Sequence, residues 1–270
     1  MPTFPTPQPI TVDIEVAAGA VHLVAGDTTE TTVDVRPRDP SRDADVKAAE
    51  QTQIDFHQNR LSVRTPMPWI MLGRRGAVEL SVTVPAGSRL TAAVASASVR
   101  ADGRYAECRL SSASGAMSVE AVTGHVRADS ASGDVTVHRV SGAVTVSTAS
   151  GDAAVGELSG DLKFQTASGA LSVDRLHGRL SAQSASGSVT VRTATTGAIS
   201  VQTASGGLAV GIPEGTAAQL DLHTRSGVVT NTLQPAGGPS HGDETLAVRA
   251  RTASGDISIH RAVQRPAVPR

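Results

Sequence analysis

Aromatic residues are scarce in this sequence. Phe, Trp and Tyr together make up 2% of the 270 residues, whereas the hydrophobic share as a whole is an ordinary 39%. The apolar residues are therefore mostly Ala, Val and Leu, whose side chains each fill little volume. This composition argues against a thick sandwich core and favours a thin core of small side chains.

Cysteine is almost absent as well. Cys108 is the only one, and a single cysteine cannot form an internal disulfide. Nothing in the cysteine content therefore indicates adaptation to an oxidising compartment.

An excess of one charge and a long apolar run are also missing. The formal net charge is −1 with acidic and basic residues interspersed, which excludes the basic stripe of a nucleic-acid-binding protein. No apolar run approaches the ~18 residues of a membrane span, and residues 1–9 lack a basic-then-apolar leader pattern. We therefore predict no nucleic-acid partner, no integral membrane span and a cytoplasmic location. The cell surface is the alternative location if a signal segment is missing from the sequence.

A Ser-Gly phrase recurs through most of the chain. Its copies follow one another at an 18-residue spacing, and the last step is one residue longer. The copies are SASGAMSV from Ser112, SASGDVTV from Ser130, TASGDAAV from Thr148, TASGALSV from Thr166, SASGSVTV from Ser184 and TASGGLAV from Thr203. Weaker copies lie near midway, so the repeating unit is a nonapeptide, and two of them make one full period.

Within each unit, hydrophobicity alternates along the chain. The second and fourth residues after the glycine are apolar, as in Val135 and Val137, and the residue between them is usually polar. This period of two is typical of a strand with one buried face. Glycine at every ninth position opposes a helix. An antiparallel sandwich stays an alternative, although a constant 18-residue period suits stacked parallel coils better.

We therefore predict an all-β fold, a single-stranded parallel β-solenoid (β-helix). Each coil has about 18 residues in two nine-residue halves, and right-handed coiling is the default for parallel crossovers. Opposite charges one period apart would then be neighbours on adjacent coils, which favours this register. The expected ladders are Arg139, Glu157 and Arg175; Asp161 and Arg179; and Asp174 and Arg192.

The regular repeat divides the chain. Residues 1–86 alternate less regularly and are predicted to form an N-terminal β cap continuous with the coils, with one short helix at 43–51. Residues 87–260 form the solenoid, with an inserted loop at 233–245 rich in Gly and Pro. Residues 261–270 are predicted to be a disordered tail. Cys108 points inward in this scheme, as a buried core thiol.

An apolar run before two arginines is the clearest local anomaly. It contains the only Trp of the chain. Such a run serves either as a docking loop for a partner or membrane, or as a cover over the end or flank of the stack. The candidate contact residues are Trp69, Ile70, Met71, Arg74 and Arg75.

Residues suited to catalysis or metal binding are few. Asp134 and Asp152 occupy equivalent positions after a glycine, and two carboxylates ~5 Å apart could bind a cation or exchange protons. Asp after Gly is, however, a common turn residue, and the position continues as Ala170 and Ser188. The histidines, among them His125, lie at different ladder positions. We predict no catalytic residue, no cofactor and no metal site.

The TASGD-V-x-V repeats, the opening ITVDIEVAAGAVHLVAGDTTETTVDVRP and the segment DADVKAAEQT together resemble a bacterial family of β-strand-repeat proteins provisionally named adhesins, a domain of unknown function. The resemblance covers nearly the whole chain and is closest to actinobacterial members without a signal peptide. It implies no catalytic residues, and similar domains in the wider family occur in cell-envelope stress proteins.

The sequence thus favours a non-catalytic scaffold or protein-interaction module with an unidentified protein partner. Self-association through the open ends of the solenoid is a further mode of interaction. The alternatives are a cell-surface adhesin or envelope-stress-associated binding protein and, with least support, a carbohydrate-active β-helix enzyme that uses Asp134 and Asp152.

Overall fold

The fold is all-β and mostly parallel, as the alternating pattern predicts. The structure, a computed structural model, describes residues 1–65, 76–234 and 244–262. Within those residues it forms twenty strands and one short helix. The chain divides into two compact units, Met1–Gly142 and Ala143–Arg270.

The first unit contains eleven strands and the helix. They are β1 (Thr3–Pro5), β2 (Thr11–Gly26), β3 (Glu30–Pro37), α1 (Asp43–Glu50), β4 (Gln53–His57), β5 (Arg60–Arg64), β6 (Val78–Pro85), β7 (Arg89–Tyr105), β8 (Glu107–Ser112), β9 (Met117–Val122), β10 (Val126–Ser130) and β11 (Val135–Ser141). The helix predicted at 43–51 is confirmed as α1.

Strand β2 lies in the middle of its part of the first unit. It pairs in parallel with β7 on one side and with β5 and β6 on the other. Its alternate residues Val12, Ile14 and Val16 are buried, so the period of two in the sequence correctly marks the inner face. Strand β7 also pairs in parallel with β8 and β9. Strand β8 in turn pairs with β10, and β9 pairs with β11.

Antiparallel strands close the other side of this unit. Strand β4 pairs with β5, strand β3 pairs with β6, and β1 pairs with β3. The rings of Phe4 and Phe56 stack with their centroids 4.9 Å apart. The carboxylate of Asp45 in α1 accepts hydrogen bonds from the backbone N–H groups of Asp39 and Ala77, so the helix is tied to the strands beside it.

The second unit contains nine strands. They are β12 (Val144–Thr148), β13 (Ala153–Thr166), β14 (Leu171–Ser184), β15 (Val189–Thr203), β16 (Leu208–Ile212), β17 (Thr216–Ser226), β18 (Val229–Asn231), β19 (Glu244–Ser254) and β20 (Ile257–Arg261). Residues 235–243 of the predicted loop and 263–270 of the predicted tail lie outside the described residues.

Parallel pairing in the second unit follows the sequence repeat. Leu171 lies opposite Ala153 on one side and Val189 on the other, so each step between paired residues equals the spacing of the repeat. The register shifts between Leu176 and His177, after which the step is one residue longer. The longer last spacing of the repeat therefore corresponds to a local irregularity in one strand pair.

The strand order departs from chain order at the end of the second unit. Strand β19 lies between β15 and β17, and β20 lies between β16 and β18. Strands β17 and β18 precede β19 and β20 in the chain, but β19 and β20 are the strands that pair with β15 and β16. The sequence shows that the repeat resumes after the loop, at RTASGDISI from Arg251. It does not indicate that this segment pairs between β15 and β17.

The inward positions form a thin apolar core. Val155, Leu158, Leu162 and Phe164 on β13 are each at most 2% exposed. Burying one such side chain contributes roughly 1.5–3 kcal/mol, so many small contributions are needed to stabilise each coil. Among the described residues, Tyr105 and Phe164 are the bulkiest fully buried side chains.

The turn glycines lie against backbone carbonyls of the preceding copy of the repeat. A Cβ atom added to Gly187 would lie 1.9 Å from the carbonyl oxygen of Gly169, and one added to Gly169 would lie 2.1 Å from that of Gly151. Such distances are far below van der Waals contact. Glycine is needed here because a neighbouring carbonyl occupies the space of a side chain.

The Ser or Thr three residues before the glycine completes the same turn. The backbone N–H of Gly169 donates to Oγ1 of Thr166 at 2.8 Å, and that of Gly187 donates to Oγ of Ser184 at 2.6 Å. The hydroxyl thus satisfies a backbone donor that the turn withdraws from the strand pairing. Thr203 differs, because its buried Oγ1 has no hydrogen-bond partner among the described residues.

Charged ladders are present on the outer surface. Arg175 pairs with Glu157, and Nε of Arg192 lies 3.1 Å from Oδ1 of Asp174, as the 18-residue step predicts. Asp161 lies opposite Arg179 in the register of β13 and β14. Exposed pairs of this kind contribute roughly 0–1 kcal/mol each, so their main effect is on register.

Replacing Gly187 with Ala tests the glycine contact. We expect a loss of about 1–3 kcal/mol in the free energy of unfolding, because the new Cβ must displace the Gly169 carbonyl. Gly26→Ala is the matched control, since a Cβ at Gly26 meets nothing within 4 Å. Urea unfolding measures both variants, and equal stability of the two would contradict the role given to the carbonyl.

Two Thr→Val substitutions test the turn hydroxyl. Thr166→Val should lower the free energy of unfolding by about 1 kcal/mol or more, because the Gly169 N–H loses its acceptor. Thr203→Val should be neutral or stabilising, because it removes a buried hydroxyl without a partner. Thermal unfolding compares them, and a larger loss at position 203 would refute this account of the turn.

Cys108 should be chemically inert in the native protein. Burial raises the pKa of its thiol to about 12, so almost no thiolate forms at neutral pH. We expect no reaction with a disulfide reagent until denaturant is added. The unfolded thiol ionises near pH 9 while the folded thiol keeps its proton, so unfolding should become easier as pH rises from about 9 to 12. Rapid labelling of the native thiol at pH 7 would show that Cys108 is not enclosed.

Candidate functional site

The contact residues predicted from the apolar run cannot be placed. Trp69, Ile70, Met71, Arg74 and Arg75 all lie in 66–75, outside the described residues. Their role in partner contact therefore stays a prediction.

The two candidate carboxylates lie in different compact units, Asp134 in the first and Asp152 in the second. Oδ1 of Asp152 accepts a hydrogen bond of 2.8 Å from the backbone N–H of Ala170. This bond links one turn to the next coil of the same unit. The side chain of Asp152 thus acts in the turn, the role that Asp after Gly commonly has.

Histidines contribute to local hydrogen bonding. Nδ1 of His177 bonds to Oγ1 of Thr195, at the place where the register of β14 and β15 shifts. No group of three or more His, Cys, Asp or Glu side chains suited to holding a metal ion occurs in 1–65, 76–234 and 244–262.

A charged cluster lies on the outer surface of the first unit. Nε of Arg100 and Nε2 of His22 each lie 2.8 Å from Oδ2 of Asp102. The hydrogen bond from Arg100, followed by that from His22, holds the pKa of Asp102 below its usual range. Nearby, Glu120 accepts the backbone N–H of Gly103 at 2.7 Å. These carboxylates link adjacent strands, Asp102 to β2 and Glu120 to β7.

A shallow, uncharged groove on the second unit is a candidate binding surface. We call it the glutamine groove. It is lined by Ser147, Thr148, Gln165, Thr166, Gln183, Ser184, Ala185, Gln202, Thr203, Ala204 and Ala253. The three glutamines lie opposite one another on β13, β14 and β15. Their side chains are exposed, and neighbouring parallel strands space them about 4.8 Å apart.

Hydrogen bonds orient the groove's side chains. Nε2 of Gln165 donates to Oε1 of Gln183 at 3.3 Å, so the first two amides are aligned along the ladder. The hydroxyls of Thr166 and Ser184 are held by the turn glycines beside them. The alanines at 185, 204 and 253 take up little space along the border.

Beyond the three glutamines, the row of paired positions continues to a cation. Arg251 on β19 lies opposite Gln202 in the register and is exposed, and His223 lies opposite Arg251 on β17. The groove therefore runs from a hydroxyl at Ser147, across three amides, towards a guanidinium group.

The chemistry of the groove suits binding. Each primary amide presents two N–H donors and one carbonyl acceptor, and each hydroxyl can donate or accept. No residue that lines the groove has an ionisable side chain, so the lining offers no group for proton transfer. The arrangement can bind a neutral polar chain through repeated hydrogen bonds.

Sequence reasoning missed this groove, although a signal was available. Gln165, Gln183 and Gln202 each lie four residues before a repeat glycine, so they recur with the period of the repeat. The charged and apolar positions of the repeat, on which the sequence predictions rest, do not include these glutamines.

Within the part of the chain that the structure describes, no helix is both long and apolar enough to span a membrane.

Three solved structures are similar to this chain over nearly its full length. A Parabacteroides distasonis protein provisionally named lipid binding has a TM-score of 0.51 and 12% identity, with 97% of this chain and 96% of that chain covered. This likeness supports the fold alone. A Bacteroides fragilis protein provisionally named an adhesin has a TM-score of 0.45 and 13% identity over 96% and 95% of the two chains. A Clostridium sporogenes protein provisionally named for cell adhesion has a TM-score of 0.21 and 9% identity over 96% and 98%.

No curated protein matches the sequence. The sequence profile of the family described as Toastrack DUF4097 matches residues 11–260, which is almost the whole of the 270-residue chain. The match includes the repeats and the less regular strands before them, and it confirms the family resemblance found in the sequence. The chain therefore belongs to the Toastrack DUF4097 family.

Proposed function

We propose that this chain is a non-catalytic binding module that presents the glutamine groove to a partner protein. The observation that carries the proposal is the ladder of Gln165, Gln183 and Gln202, whose exposed amides lie opposite one another on adjacent parallel strands. A surface built on paired strands loses little conformational freedom on binding, which favours recognition.

The architecture that fits this role is a right-handed β-solenoid with two nine-residue halves per coil. The 18-residue step between paired residues supports it. Right-handed crossover is the usual choice for parallel strands of one sheet. A solenoid would repeat one polar side chain at each coil, as the glutamine ladder does.

The absence of catalysis is part of the proposal. Its support is the lack of ionisable side chains along the groove and the use of the Asp152 carboxylate as an acceptor for the Ala170 amide. A scaffold that binds without chemistry needs neither a nucleophile nor a matched acid and base.

We expect the partner to offer an extended, uncharged polar segment of polypeptide. Such a segment carries alternating N–H and C=O groups, which the amides of the groove can pair without burying charge. Ser-, Thr- and Gln-rich segments would add hydrogen bonds from their own side chains.

A cytoplasmic location is also proposed. The free and buried Cys108 is compatible with a reducing compartment. Fractionation of cells that produce the native protein distinguishes this location from the surface location expected of an adhesin.

Removing the amides tests the proposed function. The triple variant Gln165→Ala, Gln183→Ala and Gln202→Ala should weaken binding to an array of neutral Ser-, Thr- and Gln-rich peptides at least about tenfold, because several hydrogen bonds to the ligand are lost. Ser172→Ala with Thr190→Ala is the control. These two residues are exposed and paired with each other on β14 and β15, outside the groove.

The stability of both variants should stay close to that of the parent, since exposed substitutions usually change the free energy of unfolding by ~0.5 kcal/mol or less. Peptide binding that survives in the triple variant, or that is lost equally in the control, would remove the groove from consideration as the binding surface.

A further inference from the structure

Within the part of the chain that the structure describes, the end of the second unit has an unpaired strand edge. Among the described residues, β17 pairs only with β19, and β18 pairs only with β20. Val228 is 64% exposed and Val229 is 43% exposed, whereas most apolar residues of the inner coils are buried. An edge of this kind has free N–H and C=O groups that can pair with another strand.

The side chains at this end occupy core positions. Leu220 lies opposite Val248, and Val229 lies opposite Ile257. Val248 and Ile257 are each only 1% exposed, because a coil covers them on both sides. Leu220 and Leu222 are half-buried, since they lack a covering coil among the described residues. The end therefore presents the cross-section of an apolar core.

The inserted position of β19 determines which strands lie at this end of the unit. Because β19 and β20 fill the place beside β15 and β16, the outermost coil is formed by β17 and β18. In the first unit, by contrast, antiparallel β3 and β4 cover the edges of β6 and β5. The fold thus provides a covering layer for β5 and β6, whereas β17 has none among the described residues.

The sequence of β17 is complementary to itself in an antiparallel register centred on Leu222. Centring the pair on Leu222 places Leu222 opposite Leu222, and it places Asp221 of each strand opposite His223 of the other. Leu220 then faces Thr224, a pair without charge. Directly opposite residues on antiparallel strands have neighbouring side chains on the same face, so the central pairings are favourable.

Neighbouring registers are less well matched at their centres. Centring on Asp221 pairs Leu220 with Leu222 but sets two carboxylates against each other. Centring on His223 pairs Asp221 with Arg225 but places two polar imidazole rings at the centre instead of an apolar pair. Like charges at directly opposite positions weaken strand pairing. The register about Leu222 avoids such a pair and has an apolar contact at its centre.

We propose that the edge of β17 pairs antiparallel with β17 of a second copy of this chain, centred on Leu222. A two-fold interface needs a patch that is complementary to itself, and this strand meets that condition. A second copy already contains the complementary strand, whereas a different protein would need its own exposed strand edge with residues that match β17. The interface covers half-buried Leu side chains and pairs free backbone groups.

Sedimentation equilibrium tests the association. The parent should show a reversible dimer of the 27.5 kDa chain. Leu222→Lys should raise the dissociation constant at least about tenfold, because a lysine at an edge opposes strand pairing. Val24→Lys is the matched control, since Val24 is 37% exposed on β2, far along the chain from this edge. A parent that remains monomeric throughout the concentration range, or a dimer that Leu222→Lys leaves unchanged, would overturn the proposal.

Cysteine cross-linking tests the register. Cysteines introduced at position 222 of both copies would face each other with Cα atoms about 4.5–5.5 Å apart, which is within disulfide range. Leu222→Cys should therefore form a covalent dimer under mild oxidation. Leu220→Cys alone should not, because its copies would lie roughly 14 Å apart, whereas a mixture of Leu220→Cys and Thr224→Cys should cross-link. The buried Cys108 gives little background. Efficient self-linking at 220 with none at 222 would exclude the register.

Association at the edge is separable from binding in the groove. The glutamines lie on β13, β14 and β15, whereas Leu222 lies on β17. Leu222→Lys should therefore bind the neutral peptides as the parent does. Loss of dimer with retained peptide binding would support both proposals, and retained dimer with no peptide binding would refute only the proposed function.

Discussion

The contact between turn glycines is the constraint on which the rest of the second unit depends. The carbonyl oxygen of each repeat glycine lies where the next glycine would carry a Cβ, at 2.1 Å for Gly169 and 1.9 Å for Gly187. Successive strands can pair in this register only if the position stays free of side chains. Once it does, every residue lies opposite its equivalent in the next copy of the repeat, and the surface becomes a set of ladders.

The ladders determine what the surface can do. A position that is repeatedly glutamine becomes a row of amides, and a position with alternating charge becomes a row of ion pairs such as Arg175 with Glu157. The ion pairs strengthen register, whereas the amides have hydrogen-bonding capacity to offer a ligand. The proposed binding surface and the proposed pairing at the β17 edge both depend on this parallel strand geometry.

Much of the fold could be predicted from the sequence, and much less of the candidate site. Inward positions such as Val155 and Leu162, the helix at Asp43–Glu50 and the pairs Asp174–Arg192 and Glu157–Arg175 all follow from periodicity. The groove was missed, because neutral polar residues carry no strong signal until their alignment is known. Whether the segment at 66–76 docks a partner or covers the stack stays a prediction, since 66–75 lie outside the described residues.

The sequence by itself determined the strand period, the 18-residue step and the family, because these depend on residues that recur locally along the chain. Only the tertiary structure decided that β19 inserts between β15 and β17, which leaves Leu222 half-buried at the edge and brings Arg251 next to Gln202. The physical reason is that strands of one repeat are nearly interchangeable partners. Local patterns fix which residues of each strand face inward. The order of the strands in the sheet depends instead on which pairing buries the most apolar surface in the whole unit.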